Sequence, residues 1–111
     1  MSATEGELLA AAPAFAALGD AVRLGIVARL CRDGPLPTIA LKQGAGSVTR
    51  QGVTKHLRVL EEAGLVTSDR VGRDRQWRLR EQRLADMRAY LESMSAEWDR
   101  RVERLRRLVE E

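Results

Sequence analysis

The sequence is short of cysteine, histidine and aromatic residues, and each shortage closes off a class of function. Cys31 is the only cysteine in 111 residues, so no intrachain disulfide can form and a thiol switch would have to join two chains. With one histidine, His56, beside that one cysteine, a single chain cannot supply a closed four-ligand zinc site. One Phe, one Tyr and two Trp leave the core to be built from Leu, Val, Ile and Ala, a composition suited to helices packed on helices. Long apolar runs are missing as well: Ala10 to Leu18 is too short to cross a bilayer and contains Pro13. The opening Met1-Ser2-Ala3-Thr4-Glu5 has neither the basic stretch nor the apolar run of a secretory signal, which points to a cytoplasmic protein without a membrane partner. No nucleophile shares a local motif with His56, so no enzymatic activity and no cofactor are expected.

Charge is plentiful, and its placement says more than the net value of +3. Between Lys42 and Arg80 there are nine basic residues and four acidic ones, an excess of +5, whereas the remainder of the chain sums to −2. Lys and Arg gathered in one segment are the electrostatic footprint of a surface that meets phosphates.

The length suits one domain spanning residues 1–111. Glu7 to Leu18 reads as a first helix, broken or restarted at Pro13. Asp20 can cap a second helix with Val22, Ile26 and Leu30 on one side and Leu24, Val27 and Cys31 on the adjoining side, a wide apolar surface that predicts a central, buried helix. Pro35 and Pro37 stop it and exclude a central strand. A short helix from Thr38 to Gln43, a turn at Gly44-Ala45-Gly46-Ser47, and a helix from Arg50 to Ala63 follow, capped by Thr49 and closed by Gly64. The helix-turn-helix thus spans 38–63, with Val53, Leu57 and Leu60 as the inward stripe of its second helix. A wing over 65–79 consists of two strands, Leu65 to Val71 and Arg75 to Leu79, joined through Gly72-Arg73-Asp74. The last segment, 81–111, is helical, and Leu84, Met87, Leu91, Met94, Trp98, Val102, Leu105 and Val109 form one apolar seam at intervals of three and four. The predicted class is mainly α with a small hairpin: a winged helix-turn-helix of about five helices and a two-stranded wing.

On a wheel of about 100° per residue, Gln51, Lys55 and Arg58 lie opposite the apolar stripe of the second helix, with Thr54 beside them. Arg50 and Gln51 occupy the first turn, where free backbone amides favour phosphate. Chemically, Arg50 or Lys55 can contact guanine, Gln51 can pair with adenine, and Thr54 can set its methyl on thymine. Arg70, Arg73 and Arg75 cluster at the wing, suited to phosphates or a narrow minor groove. The DNA-binding set is therefore Thr49, Arg50, Gln51, Thr54, Lys55, Arg58, Arg70, Arg73 and Arg75, with double-stranded DNA as partner. A basic face docking an acidic protein is the alternative, and it has less use for base-reading groups such as Gln51 and Thr54. The seam, from Leu84 through Leu105, is longer than a small domain needs, and although part of it must pack on the chain's own core, it calls for a second copy of the chain.

At these residues the chain resembles the ArsR-type family of bacterial winged-helix repressors. The resemblance rests on Phe15-Ala16-Ala17-Leu18-Gly19-Asp20 with Arg23-Leu24, on the run from Thr49 through Val66, and on Gly72-Arg73 with Trp77. It implies a homodimer that pairs its first and last helices and presents two reading helices to an inverted repeat. Trp98-Asp99 followed by Leu105 and Val109 is similar to a subgroup whose genes often neighbour START-like (Hsp90-ATPase-activator homologue) proteins. Many members sense metals through cysteines in the third helix or ligands in the last, but Thr38 to Gln43 has no ligand-type residue and the last helix has no histidine. That departure implies a regulator that senses no metal at those sites and leaves any small-molecule effector unnamed. His56, within about 60° of the apolar stripe, reads as a hydrogen-bonded packing residue, with a pH switch as the rarer reading. Cys31 reads as a small core residue.

Overall fold

The computed structural model describes residues 5–110, the side chain of Glu7 apart. The segment 1–4 and Glu111, with which the sequence reading ends the last helix, lie outside the described residues. The elements are α1 (Glu5–Leu18), α2 (Ala21–Asp33), β1 (Leu36–Pro37), α3 (Thr38–Gln43), α4 (Arg50–Glu62), β2 (Val66–Val71), β3 (Asp74–Leu79) and α5 (Glu81–Glu110). Helix, tight turn and helix, followed by a hairpin, make this a winged helix-turn-helix fold.

Helix α1 runs straight through Pro13, which corrects the expected break. Pro13 is exposed and removes only the amide that would bond to the carbonyl of Leu9, a residue 69% exposed where water can take that bond. Its buried side is made of Ala11, Ala14 and Ala17, which are small enough to let neighbouring helices approach closely. Asp20 caps α2 by accepting from the backbone N–H of Arg23 at 3.0 Å.

Only Ile26, Val27 and Leu30 of α2 are buried. Leu24 is 53% exposed and Cys31 is exposed, so the expected second apolar side and the core role of Cys31 are both corrected. Helices α1 and α4 and strand β3 cover one flank of α2 and leave the other open.

Two prolines do not prevent β1 from pairing with β3, Leu36 opposite Trp77 and Pro37 opposite Gln76. The sheet order β1-β3-β2 puts this strand at an edge, where an absent amide costs no ladder bond. The expected two-stranded wing is therefore part of a three-stranded sheet. Strands β2 and β3 meet at a two-residue turn, Gly72-Arg73, shorter than the expected loop because Asp74 pairs with Val71. Gly72 has φ +64° while no described non-glycine residue has positive φ, the pattern of a type II′ hairpin turn.

The core joins Val53, Leu57 and Leu60 of α4 to Leu41 of α3, Leu65, Val66, Trp77 and the buried faces of α1 and α2. Trp77 is buried and its indole N–H donates to Thr38 Oγ1 at 3.0 Å, tying the hairpin to the start of α3. Met87 belongs to the same core and Leu84, partly exposed, packs against it, so the root of the expected seam is shared with the chain's own interior. Beyond them α5 leaves the body. The Cα radius of gyration is 18.2 Å, against about 13 Å for a compact chain of this length. No single helix among the described residues is long and apolar enough to cross a membrane.

Candidate nucleic-acid interface

The start of α4 is fixed by its cap: Thr49 Oγ1 accepts from the backbone N–H of Gly52 at 3.0 Å. This leaves the amides of Arg50 and Gln51, at the first two helical positions, without a helical carbonyl and open to an anion. Gly52 fits closely here, since a Cβ at that position would stand 2.8 Å from a Val48 methyl. The far end is as firmly set. Leu65 N–H bonds to the carbonyl of Leu60 and Gly64 N–H to that of Glu61, both at 3.0 Å, while Gly64 holds φ +77°. These two bonds are the Schellman closure, and Leu60 and Leu65, both fully buried, supply its apolar contact.

Between these ends, Arg50, Gln51, Lys55 and Arg58 are exposed while the opposite stripe is fully buried. None of the four side chains has a hydrogen-bond or ion-pair partner among the described residues. Thr54 differs: its hydroxyl donates to the carbonyl of Arg50 at 3.0 Å, leaving its methyl and remaining lone pairs for an outside group. Glu62, exposed at the end of α4, brings negative charge to this surface after Arg58.

At the hairpin Arg70 and Arg75 stand directly opposite each other in the register, with Arg73 in the turn beyond them. Like charges at facing positions destabilise a strand pair. No carboxylate pairs with any of the three among the described residues; Arg75 donates to Ser68 Oγ at 2.8 Å, and Asp69 is taken by Arg78 at 3.0 Å. The hairpin tip therefore holds three guanidiniums that an external anion can neutralise. Sequence reasoning overlooked Ser68, whose role as a cross-strand support for Arg75 is set by the register.

A second polar group lies between the helices. His56 Nδ1 is 3.3 Å from Arg23 Nη1 and 3.8 Å from Asp20 Oδ2, so the expected hydrogen-bonded packing role of His56 is what the structure shows. The Arg23 backbone N–H, with its guanidinium in a smaller part, holds the Asp20 carboxyl below the usual carboxylate range against the opposing effect of desolvation. No local sequence signal links His56 to partners more than thirty residues earlier, although its inward position on the wheel predicted that it would have some.

On α5 the remaining seam is bare: Leu91 is 48% exposed, Met94 43%, Trp98 64%, Val102 37% and Leu105 56%. An open apolar groove of about 560 Å³, lined by Phe15, Leu18, Leu84, Met87 and Leu91, runs between α1 and α5 at its root. Glu103 and Arg107 form an ordinary i,i+4 pair at 3.6 Å on the polar side. Among the described residues no group of three His, Cys, Asp or Glu side chains is placed to hold a metal ion.

A buried-backed helix with bare cations on its outer face, set in a tight turn and flanked by a basic hairpin, defines the winged helix-turn-helix class of regulators. Residues 18–69 match a helix-turn-helix domain family. The chain is 47% identical over 66 residues to the HTH-type transcriptional regulator YuzN of Bacillus subtilis, a match covering 55% of this chain and 72% of that protein. An ArsR-like transcriptional regulator from Rhodococcus sp. RHA1 superposes with a TM-score of 0.78 at 35% identity, over 93% of this chain and 95% of that one. A Mycobacterium bovis protein, described as a homodimeric winged helix-turn-helix DNA-binding domain and a possible ArsR-family regulator, shares the fold. Its TM-score is 0.66 at 24% identity, over 87% of this chain and 89% of its own. The chain belongs to the ArsR family of winged helix-turn-helix transcriptional regulators.

Proposed function

We propose that this regulator is a repressor that binds an inverted-repeat operator in duplex DNA as a homodimer. The observation that carries the reading is the unneutralised cationic surface: Arg50, Lys55 and Arg58 on α4, and Arg70, Arg73 and Arg75 at the hairpin, with Gln51 and Thr54 among them. The side chains divide by chemistry. Gln51, with two donors and an acceptor path to adenine, is the base reader; Thr49 positions the helix, whose first amides meet phosphate; Arg73 and its neighbours grip the backbone beside the groove. Dimerisation follows from the bare seam Leu91, Met94, Trp98, Val102 and Leu105, extended by the exposed Leu8 and Leu9 of α1. The homodimeric state of the Mycobacterium bovis relative supports the same arrangement. Two copies joined through α1 and α5 present two α4 helices to successive half-sites, and occupancy of a promoter excludes polymerase. The family's metal-sensing position in α3 is filled by Thr38 to Gln43, none of which is a Cys, His, Asp or Glu, so release from DNA is assigned to a signal other than metal at that site.

The test is selection of duplexes from a random pool by the full chain, followed by titration of the selected duplex and a scrambled one at several salt concentrations. The reading expects an inverted repeat, preference for it over the scrambled duplex, and affinity that falls linearly in log[salt] with a slope near −0.9 per phosphate contacted. Equal binding to both duplexes would point instead to an acidic protein partner for the same cations.

A further inference from the structure

Helix α4 turns His56, the only histidine of the chain, away from its cationic face into the junction with α1 and α2, where it is half-buried. A guanidinium carries donors only, so the 3.3 Å contact from Arg23 Nη1 requires a lone pair on Nδ1 and puts the ring proton on Nε2. Arg23 also donates from Nε to the carbonyl of Ala17, in the last turn of α1, at 2.6 Å. One guanidinium therefore ties the end of α1 to the middle of α4. Since α1 is the helix that packs on α5, the tie connects the side of the molecule bearing the apolar seam to the side bearing the cations.

We propose that Arg23 and His56 are positioning residues for DNA binding: the neutral imidazole, accepting from Arg23, seats α4 against α1 and α2, and protonation of His56 unseats it. This rests on the DNA-binding reading above. A proton on Nδ1 removes the acceptor and sets an imidazolium against a guanidinium. The carboxylate facing the ring is Asp20, but its Oδ2 already accepts from the Arg23 backbone N–H at 3.0 Å as the cap of α2. No other ionisable group, from α1, α3 or β2, lies within ion-pair distance of His56 among the described residues. On α4 itself the positions one turn away, Gly52, Val53, Val59 and Leu60, carry no charge. The one carboxylate within ion-pair distance of the new charge is the one that caps α2, so an imidazolium draws on the cap of Asp20 as it loses Arg23. His56 is the only histidine of the chain, so no second imidazole competes for the effect.

The experiment measures binding of the selected duplex at fixed salt from about pH 8 to about pH 5.5, a window that brackets imidazole titration. It compares the wild-type chain with His56→Asn, which keeps an acceptor near Nδ1 but does not titrate, and His56→Leu, which has none. Wild-type affinity is expected to fall at least about fivefold on acidification. His56→Asn should stay near the high-pH wild-type value throughout, and His56→Leu should be about tenfold weaker at every pH. Sequence-specific binding by the wild type without a pH slope, or the same slope in His56→Asn, overturns the positioning role and leaves the DNA reading intact; failure to prefer the selected duplex at any pH removes both. Should the variants not fold, the ¹⁵N spectrum of the wild-type imidazole decides: an unprotonated Nδ1 at neutral pH is expected, and an Nδ1–H tautomer contradicts the proposal.

Discussion

Helices α4 and α5 are both amphipathic, yet they leave opposite things unsatisfied. In α4 the apolar stripe is completed inside the chain, with Val53, Leu57 and Leu60 fully buried, and what stays bare is charge. In α5 the apolar seam is covered only at its root, by the core around Met87, and what stays bare beyond Leu91 is hydrocarbon. The two surfaces therefore call for partners of different physics: one attracts an anion and weakens with salt, the other excludes water and is nearly indifferent to salt. DNA and a second copy of the chain are the partners proposed for these two surfaces.

The largest expected effect breaks the α5 side alone. Trp98→Glu places a charge in the middle of the seam and should raise the dimer dissociation constant about 100-fold or more, by ~3 kcal/mol. Sedimentation should then show monomers; an unchanged dimer would put Trp98 outside the interface. Next, Gln51→Ala strikes the α4 side without touching its fold. It should cost about 1–3 kcal/mol of discrimination between the selected duplex and single-base variants, with thermal stability unchanged. Gly64→Ala separates stability from reading, because a left-handed backbone with φ +77° costs an L-residue about 1–2 kcal/mol. Calorimetry should show that loss in a chain whose DNA contacts are intact. Thr49→Ala removes the cap hydroxyl, at about 1 kcal/mol, and should appear in both unfolding and DNA binding because the cap also orients the first amides. Smallest is Arg73→Ala, expected to weaken all duplexes alike and flatten the salt slope by about 1. An exchange of phenotypes between Gln51→Ala and Arg73→Ala would reverse their assigned roles.

Much of this contrast was legible in the sequence, and the reason is locality. The cap Thr49, the stop Gly64 and the spacing of Val53, Leu57 and Leu60 act within one or two turns, so the boundaries of α4 and its two faces followed from residue type alone. Gly72 marked the hairpin for the same reason. What escaped depended on residues distant in the chain. An apolar wheel on α2 could not tell that α1, α4 and β3 would cover Ile26, Val27 and Leu30 and leave Leu24 and Cys31 open. Alanine spacing in α1 gave no sign that Ala11, Ala14 and Ala17 were a packing face strong enough to carry the helix through Pro13. The two prolines argued correctly against a central strand, but only the register with Trp77 and Gln76 shows that Leu36–Pro37 is an edge strand. That part of the α5 seam packs on the chain's own core was expected from its length, but only tertiary packing shows which part: Met87, with Leu84 against it, ahead of the exposed run that follows.

The central claim, that α4 and the hairpin of two joined chains read DNA, is tested most directly by a hydroxyl-radical footprint on the selected duplex. The account predicts two protected blocks whose centres lie about one helical turn, 34–36 Å, or a multiple of it apart, and their joint disappearance with Trp98→Glu. A single block that persists in that variant, or no protection at all, would contradict it.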